Sequence, residues 1–172
     1  ALMLSPLALG ITLFYSITKR FTPLCHVVLG ASLGIAPAAA FIAVTGKFEP
    51  AIFLLFFAVM FWTAGFDILY SLQDEQFDQD QGLRSMPQTL GVSKSLLVSR
   101  IFHAITVLIL AGWSLMYNPL ALIGVALVAA LLIYEQSLVK PDDLSKINVA
   151  FFTVNGFVSI LFFFATLPGW WQ

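Results

Sequence analysis

Long apolar runs separated by short polar stretches dominate the chain. Six such runs are present, and the stretches between them carry most of the charged residues. A helix rises about 1.5 Å per residue, so roughly 20 apolar residues cross the hydrocarbon layer of a bilayer, which is about 30 Å thick. The pattern therefore predicts an all-α integral membrane helical bundle in a single transmembrane domain, 1–172. Its six transmembrane helices are expected near residues 1–17, 24–45, 50–73, 95–116, 119–138 and 148–167.

Composition excludes several other classes of protein. Charged residues make up 10% of the 172 residues and hydrophobic residues 60%, whereas about 25% of the residues in soluble domains are charged. These fractions exclude a soluble globular protein, and they exclude a disordered chain, which is too polar to bury much apolar surface. A net charge of -1 excludes a nucleic-acid-binding protein, because phosphate binding needs clustered Lys and Arg. The single Cys25 excludes a disulfide framework and a Cys-based zinc site.

The distribution of basic residues predicts an orientation in the membrane. If the six runs cross alternately, segments 18–23, 74–94 and 139–147 lie on one side. That side, with the adjacent helix end, carries seven Lys or Arg residues, whereas the other side carries only Lys47. Under the positive-inside rule the first side is cytoplasmic. Trp170 and Trp171 are then expected at the outer interface.

Acidic residues gather at the predicted cytoplasmic end of the third apolar run. At 100° per residue, Asp74 and Asp78 both fall within about 20° of Asp67 around a helix axis, so the three carboxylates share one stripe. Asp80 points elsewhere. Asp67 has apolar neighbours on both sides, where an ionised carboxylate is costly without a partner. Mg²⁺ suits such oxygen ligands and commonly bridges carboxylates to phosphates, so a diphosphate is the predicted ligand.

Three short elements in this part of the chain have a recognisable spacing. Residues 67–78 read DILYSLQDEQFD, residues 15–22 read YSITKRFT, and residues 82–87 read GLRSMP. The first resembles the second aspartate-rich motif, DxxYxxxDxxxD, of the UbiA family of membrane prenyltransferases, at all four defining positions. The other two resemble the YxxxKRxT element and the GxxSxP loop of the same family. The elements occur in the family's order, and the resemblance covers essentially the whole chain.

The resemblance implies a nine-helix fold of which this chain supplies the last six helices. Family members have about three hundred residues and carry a first motif, NDxxDxxxD, between their second and third helices; this sequence does not contain it. The first residue is Ala1 rather than Met. We therefore expect the chain to be the C-terminal portion of a longer protein, without the N-terminal helices and the first Asp-rich motif, and to be inactive alone.

The resemblance also implies an activity and a set of site residues. Family members transfer a polyprenyl group from its diphosphate to an acceptor, commonly an aromatic ring, with Mg²⁺ as cofactor. The carboxylates that would hold the metal are Asp67, Asp74 and Asp78. The residues expected to be catalytic, through the metal or by neutralising the departing diphosphate, are Asp67, Lys19 and Arg20. The residues expected to bind substrate are Lys19, Arg20, Tyr70, Arg84 and Ser85.

The identity of the acceptor is less closely specified. By the same resemblance, residues 134–143 (YEQSLVKPDD) favour polyprenyl diphosphate as donor and an aromatic acceptor such as 4-hydroxybenzoate. The product would serve ubiquinone or menaquinone biosynthesis. The alternative function is a non-enzymatic cation-binding membrane protein, such as a transporter, with Asp67 on the ion path.

Simpler roles are open for several residues. Lys19 and Arg20 could be only positive-inside anchors, and Arg84 with Ser85 could form a plain turn. A solvated polar helix end would account for Asp74 and Asp78 without any ligand.

Polar and small residues inside the other apolar runs have a simpler interpretation. His26, His103 and Asn155 are expected to make polar contacts between helices, and Gly30 with Gly34 to permit close helix packing.

Overall fold

The computed structural model describes residues 2–167, so Trp170 and Trp171 lie outside the described residues. Eight α-helices form within that range. They are α1 (Ser5–Thr18), α2 (Cys25–Thr45), α3 (Ala51–Ser71), α4 (Glu75–Asp80), α5 (Met86–Leu90), α6 (Val92–Tyr117), α7 (Ala121–Leu138) and α8 (Asn155–Thr166). One-turn 3₁₀ segments lie at Leu2–Leu4 and Leu72–Asp74, and a π-helical segment, Val149–Val154, leads into α8.

Five helical segments are long and apolar enough to cross a membrane, which confirms the predicted all-helical membrane bundle. They are Cys25–Thr45, Ala51–Asp80, Val92–Tyr117, Ala121–Leu138 and Val149–Thr166. The first predicted span is occupied by the 3₁₀ turn Leu2–Leu4 followed by the apolar helix α1, which has 14 residues. At 1.5 Å per residue it extends only about 21 Å, short of the hydrocarbon thickness. The structure thus supports five of the six predicted crossings by length.

Helix α3 occupies the centre of the bundle. It packs against α2 and α6 along their lengths and touches the π-helical segment before α8, while α7 packs on α8 and α6. Its buried positions include Ala58, Ala64, Ile68 and Leu69. Large apolar side chains on the outer helices, such as Leu108 at 71% exposure, face outward. That distribution is expected where lipid, rather than water, surrounds the bundle.

Two glycines allow α2 to approach α3 closely. A Cβ added to Gly30 would overlap the backbone carbonyl of Met60, and one added to Gly34 would lie 2.7 Å from the carbonyl oxygen of Phe56. Small residues at such interfaces let helix backbones meet in a membrane. The prediction that Gly30 and Gly34 serve close helix packing is confirmed.

Substitution of Gly30 by alanine should destabilise the bundle by about 1–3 kcal/mol, because an extra methyl in a packed interface forces backbone shifts. Gly112, within α6, provides the matched control, since an added Cβ there meets no atom within 4 Å. Gly112→Ala should be neutral or stabilising by about 0.4–1 kcal/mol. Thermal unfolding of both variants in the same detergent measures the difference. Equal unfolding temperatures would contradict this account of the α2–α3 interface.

A chain of polar side chains crosses the apolar core. Trp62 Nε1 donates to Asn155 Oδ1 (2.7 Å), and Asn155 Nδ2 donates to Glu135 Oε1 (2.9 Å). His103 Nδ1 lies 3.0 Å from Gln136 Nε2. The interhelical contacts predicted for Asn155 and His103 are therefore confirmed. The completely buried Glu135 also belongs to this series of hydrogen-bonded side chains, and the sequence analysis did not predict it.

The helix that carries the acidic residues is interrupted between Asp67 and Asp78. Helix α3 ends at Ser71, a 3₁₀ turn covers Leu72–Asp74, and α4 begins at Glu75. A 3₁₀ turn has three residues per turn rather than 3.6, so three such residues advance the azimuth by about 60° more than an α-helix would. The side chains before and after the turn consequently meet different neighbours.

Candidate active site

The basic and acidic residues predicted from the sequence meet at one end of the bundle. The corner between α1 and α2, the short helices α4 and α5, and the loop between them come together there. Lys19 Nζ donates to Asp78 Oδ1 (2.9 Å) and lies 3.8 Å from Asp74 Oδ2. Asp78 is fully buried, whereas the Lys19 and Asp74 side chains are 32% and 45% exposed. We refer to Lys19, Asp67, Asp74 and Asp78 as the charged cluster.

The single carboxylate stripe expected from an uninterrupted helix is corrected by the structure. Asp74 and Asp78 share Lys19, but Asp67 pairs with a different residue, His26. The physical reason is the 3₁₀ turn at Leu72–Asp74, which changes the azimuth between Asp67 and Asp78.

Asp67 is held by a histidine from the neighbouring helix. His26 Nδ1 lies 2.7 Å from Asp67 Oδ2, and the backbone N–H of Met86 donates to His26 Nε2 (3.3 Å). A backbone N–H can only donate, so Nε2 accepts in this contact and Nδ1 is the ring nitrogen that faces the carboxylate. The Nδ1–H group therefore donates to the carboxylate. The His26 side chain is 1% exposed and that of Asp67 17% exposed.

The loop after α4 is fixed by main-chain hydrogen bonds to the charged cluster. Leu83 N donates to the carbonyl of Asp78 (2.8 Å), and Arg84 N donates to the carbonyl of Lys19 (2.6 Å). The Arg84 side chain donates to the carbonyl of Phe21 (3.2 Å). Gly82 has φ of +65°, a conformation that favours glycine and lets the chain turn back.

Of the predicted substrate-binding residues, Ser85 and Tyr70 are packed against other protein groups, whereas Arg20 is exposed. Ser85 is completely buried and caps α5, accepting a hydrogen bond from Gln88 N (3.4 Å), which agrees with the simpler turn interpretation. Tyr70 stacks on Phe151 with ring centroids 4.2 Å apart. Arg20, by contrast, is exposed.

Arg20 borders an open cleft. The cleft has a volume of about 420 Å³ and is lined by Arg20, Phe77, Gln81, Gly82 and Leu83. Among residues 2–167, Arg20 has no carboxylate within 4.0 Å. Its guanidinium is thus available to an anion that enters from this end.

The donor set fits a cation that is shared with a ligand rather than enclosed by protein. Within the described part of the chain, no three His, Cys, Asp or Glu side chains converge closely enough to hold a metal ion by themselves. Asp78 Oδ2 is nevertheless buried and has no hydrogen-bond partner there, while Asp67 and Asp74 are partly exposed. Mg²⁺ is commonly bound through one or two carboxylates, waters and substrate phosphates. These carboxylates suit that mode of binding.

The contact between His26 and Asp67 is the feature of the site that the sequence analysis did not predict. A polar contact between helices was predicted for this residue, but its partner was not. The signal was present, because a carboxylate inside an apolar span needs a partner, and His26 follows the basic pair by only six residues. Which helix faces α3 at that depth, however, depends on packing.

Comparison with known proteins gives consistent matches. Residues 1–167 match the model of the UbiA prenyltransferase family. A 4-hydroxybenzoate octaprenyltransferase of Cronobacter sakazakii is 30% identical over 163 residues, 94% of this chain and 56% of that protein. One of Haemophilus ducreyi is 31% identical over 170 residues, 98% of this chain and 61% of that protein. The chain therefore spans somewhat more than half the length of these relatives.

A solved structure has the same helical arrangement. The apo structure of a UbiA homolog from Aeropyrum pernix K1 is similar with a TM-score of 0.83 and 32% sequence identity. The match covers 97% of this chain and 63% of that chain.

Proposed function

The chain belongs to the UbiA prenyltransferase family, and on that premise we propose that it transfers a polyprenyl group from polyprenyl diphosphate to an aromatic acceptor. The acceptor we propose is 4-hydroxybenzoate or a close analogue, and the product would enter ubiquinone or menaquinone biosynthesis. The observation that carries the proposal is the meeting of Lys19 with Asp74 and Asp78 at one end of an apolar helical bundle, beside the exposed Arg20.

The charged cluster would bind the diphosphate head of the donor. Lys19 and Arg20 supply positive charge for its oxygens, and Asp67, Asp74 and Asp78 are the proposed ligands of Mg²⁺, directly or through water. When bound, the cation would neutralise the diphosphate and stabilise its departure. Stabilising a leaving group with charges that are already in place is effective in a site that excludes water.

The apolar bundle would accommodate the prenyl tail. Each methylene moved from water into an apolar environment gains about 0.8 kcal/mol, so a chain of many carbons favours lipid or the space between helices. Only the diphosphate then needs a polar environment. The separation between the charged cluster at one end and apolar helices elsewhere supports this division.

The proposed reaction is a substitution on the aromatic ring. The bond between the allylic carbon and the diphosphate oxygen breaks, and the electron pair leaves with the diphosphate. An electron-rich ring carbon forms the new carbon–carbon bond, and that ring carbon loses its proton. Water would compete as nucleophile, so holding the ring beside the allylic carbon within the bundle favours the intended product.

We also propose that the charged cluster faces the cytoplasm across a bacterial inner membrane. The end of the bundle that carries the cluster also carries Arg20 and Arg84, and the opposite end carries Lys47. The positive-inside rule supports this orientation.

The direct test is a transfer assay on the purified full-length protein. We expect a prenylated benzoate and released diphosphate when the protein is incubated with polyprenyl diphosphate, 4-hydroxybenzoate and Mg²⁺, and no product when EDTA replaces Mg²⁺. Diphosphate binding without product would count against the proposed acceptor. Absence of diphosphate binding would count against the enzyme and favour the cation-binding alternative.

A further inference from the structure

His26 connects Asp67 to the loop that closes the charged end of the bundle. Its Nδ1–H donates to Asp67 Oδ2 over 2.7 Å, and its Nε2 accepts from the main chain of Met86 over 3.3 Å. Met86 follows directly on Ser85, the buried cap of α5. Both ring nitrogens are therefore used, and the imidazole can adopt only one orientation.

The partner of Asp67 differs from the partner of the other two carboxylates. Asp67 pairs with His26 on α2, whereas Asp74 and Asp78 share Lys19. The orientation of the Asp67 carboxylate is therefore fixed separately from that of Asp74 and Asp78.

One oxygen of Asp67 stays free. Among the described residues, the carboxylate accepts a hydrogen bond only at Oδ2, and its side chain is 17% exposed. Carboxylates that bind metals are commonly oriented by a hydrogen bond of this kind, and loss of the orienting partner typically costs about 10- to 100-fold in metal affinity.

We propose that His26 is a positioning residue that aims the free oxygen of Asp67 at a divalent cation. The inference rests on the proposed function, since it assumes that Asp67 is a metal ligand. It goes further by assigning the orientation of that ligand to a histidine on α2, whose ring is in turn fixed by the chain between α4 and α5.

Two substitutions separate positioning from a purely structural role. In His26→Asn the amide nitrogen takes the place of Nδ1 and can still donate to Asp67, but the contact with Met86 is lost. In His26→Gln the amide reaches the place of Nε2 and can still accept from Met86, but the donor to Asp67 is lost. Each variant gives up one buried hydrogen bond, so their losses of stability should be comparable.

The experiment measures binding of Mn²⁺ in the presence of inorganic diphosphate by electron paramagnetic resonance, using the full-length protein. We expect His26→Gln to weaken Mn²⁺ binding about 10- to 100-fold and His26→Asn to bind nearly as tightly as the wild type. The Mg²⁺ concentration that gives half-maximal transfer should shift in the same order.

The outcomes distinguish this inference from the proposed function. If the wild type binds Mn²⁺ with diphosphate and the two variants bind it equally, His26 does not position the ligand, but the enzyme proposal stands. If the wild type itself binds no Mn²⁺ with diphosphate, the proposed metal site fails. Thermal unfolding of both variants checks that each is folded.

Discussion

Replacing Asp67 with asparagine in the full-length protein is expected to lower the rate of prenyl transfer by at least about 100-fold while leaving the helical bundle intact. Asparagine has nearly the same size, and its carbonyl oxygen can still accept from His26, so the contact between α2 and α3 is retained. What is lost is the negative charge. Removal of a single group that stabilises charge in a transition state commonly costs 10²- to 10³-fold, roughly, in rate.

Asp80 provides the matched control for Asp67. It lies in the same acidic segment, but its carboxylate is exposed, and among residues 2–167 it accepts only from Gln76, one helical turn away (2.9 Å). Asp80→Asn should therefore transfer at close to the wild-type rate. Asp74→Asn should follow Asp67→Asn. Wild-type rates in both the Asp67 and the Asp74 variants would refute a metal role for these carboxylates.

Replacing Lys19 with methionine is expected to destabilise the protein by about 3 kcal/mol. Asp78 is completely buried and Lys19 Nζ is its hydrogen-bond donor at 2.9 Å, so the substitution leaves a buried charge without compensation. Breaking a buried ion pair on one side typically costs 3–5 kcal/mol, roughly, and the partial exposure of Lys19 favours the lower end. Thermal or denaturant unfolding in detergent gives the measurement.

The double variant Lys19→Met, Asp78→Asn separates stability from catalysis. With both charges removed, much of the lost stability should return, because no buried charge remains unpaired. Prenyl transfer should not return, since Lys19 is the proposed partner of the diphosphate and Asp78 a proposed ligand of Mg²⁺. Lys47→Met, which removes an exposed lysine at the opposite end of the bundle, should change neither property. Recovery of transfer in the double variant would show that Lys19 is only a structural anchor.

The spans were predictable because their signal is local. An apolar run of about 20 residues identifies a membrane helix regardless of what packs against it, and α2, α6 and α7 follow the predicted limits closely. The first helix also ends close to its predicted limit, at Thr18, although its regular α-helical part begins only at Ser5. Gly30 and Gly34 were predictable because small residues four apart lie on one helix face.

The partners within the site were predictable only in part. Spacing brought Lys19 and the acidic motif to the same end of the bundle, and the structure pairs Lys19 with Asp78 across 59 positions of sequence. The partner of Asp67 could not be derived, because the residue of α2 that faces α3 at that depth is decided by helix packing. The burial of Glu135 was likewise hidden, since the donor that makes it tolerable, Asn155, comes from another helix.

The position of Lys19 between two carboxylates bears on how a charged donor could be loaded. The ammonium group already has carboxylate partners in Asp74 and Asp78 and is partly withdrawn from water before any substrate arrives. Arrival of a diphosphate together with a divalent ion would then amount to an exchange of partners: the ammonium turns from carboxylate to phosphate as the carboxylates turn to the metal. Such an exchange would avoid removing a fully hydrated lysine from water at the moment of binding.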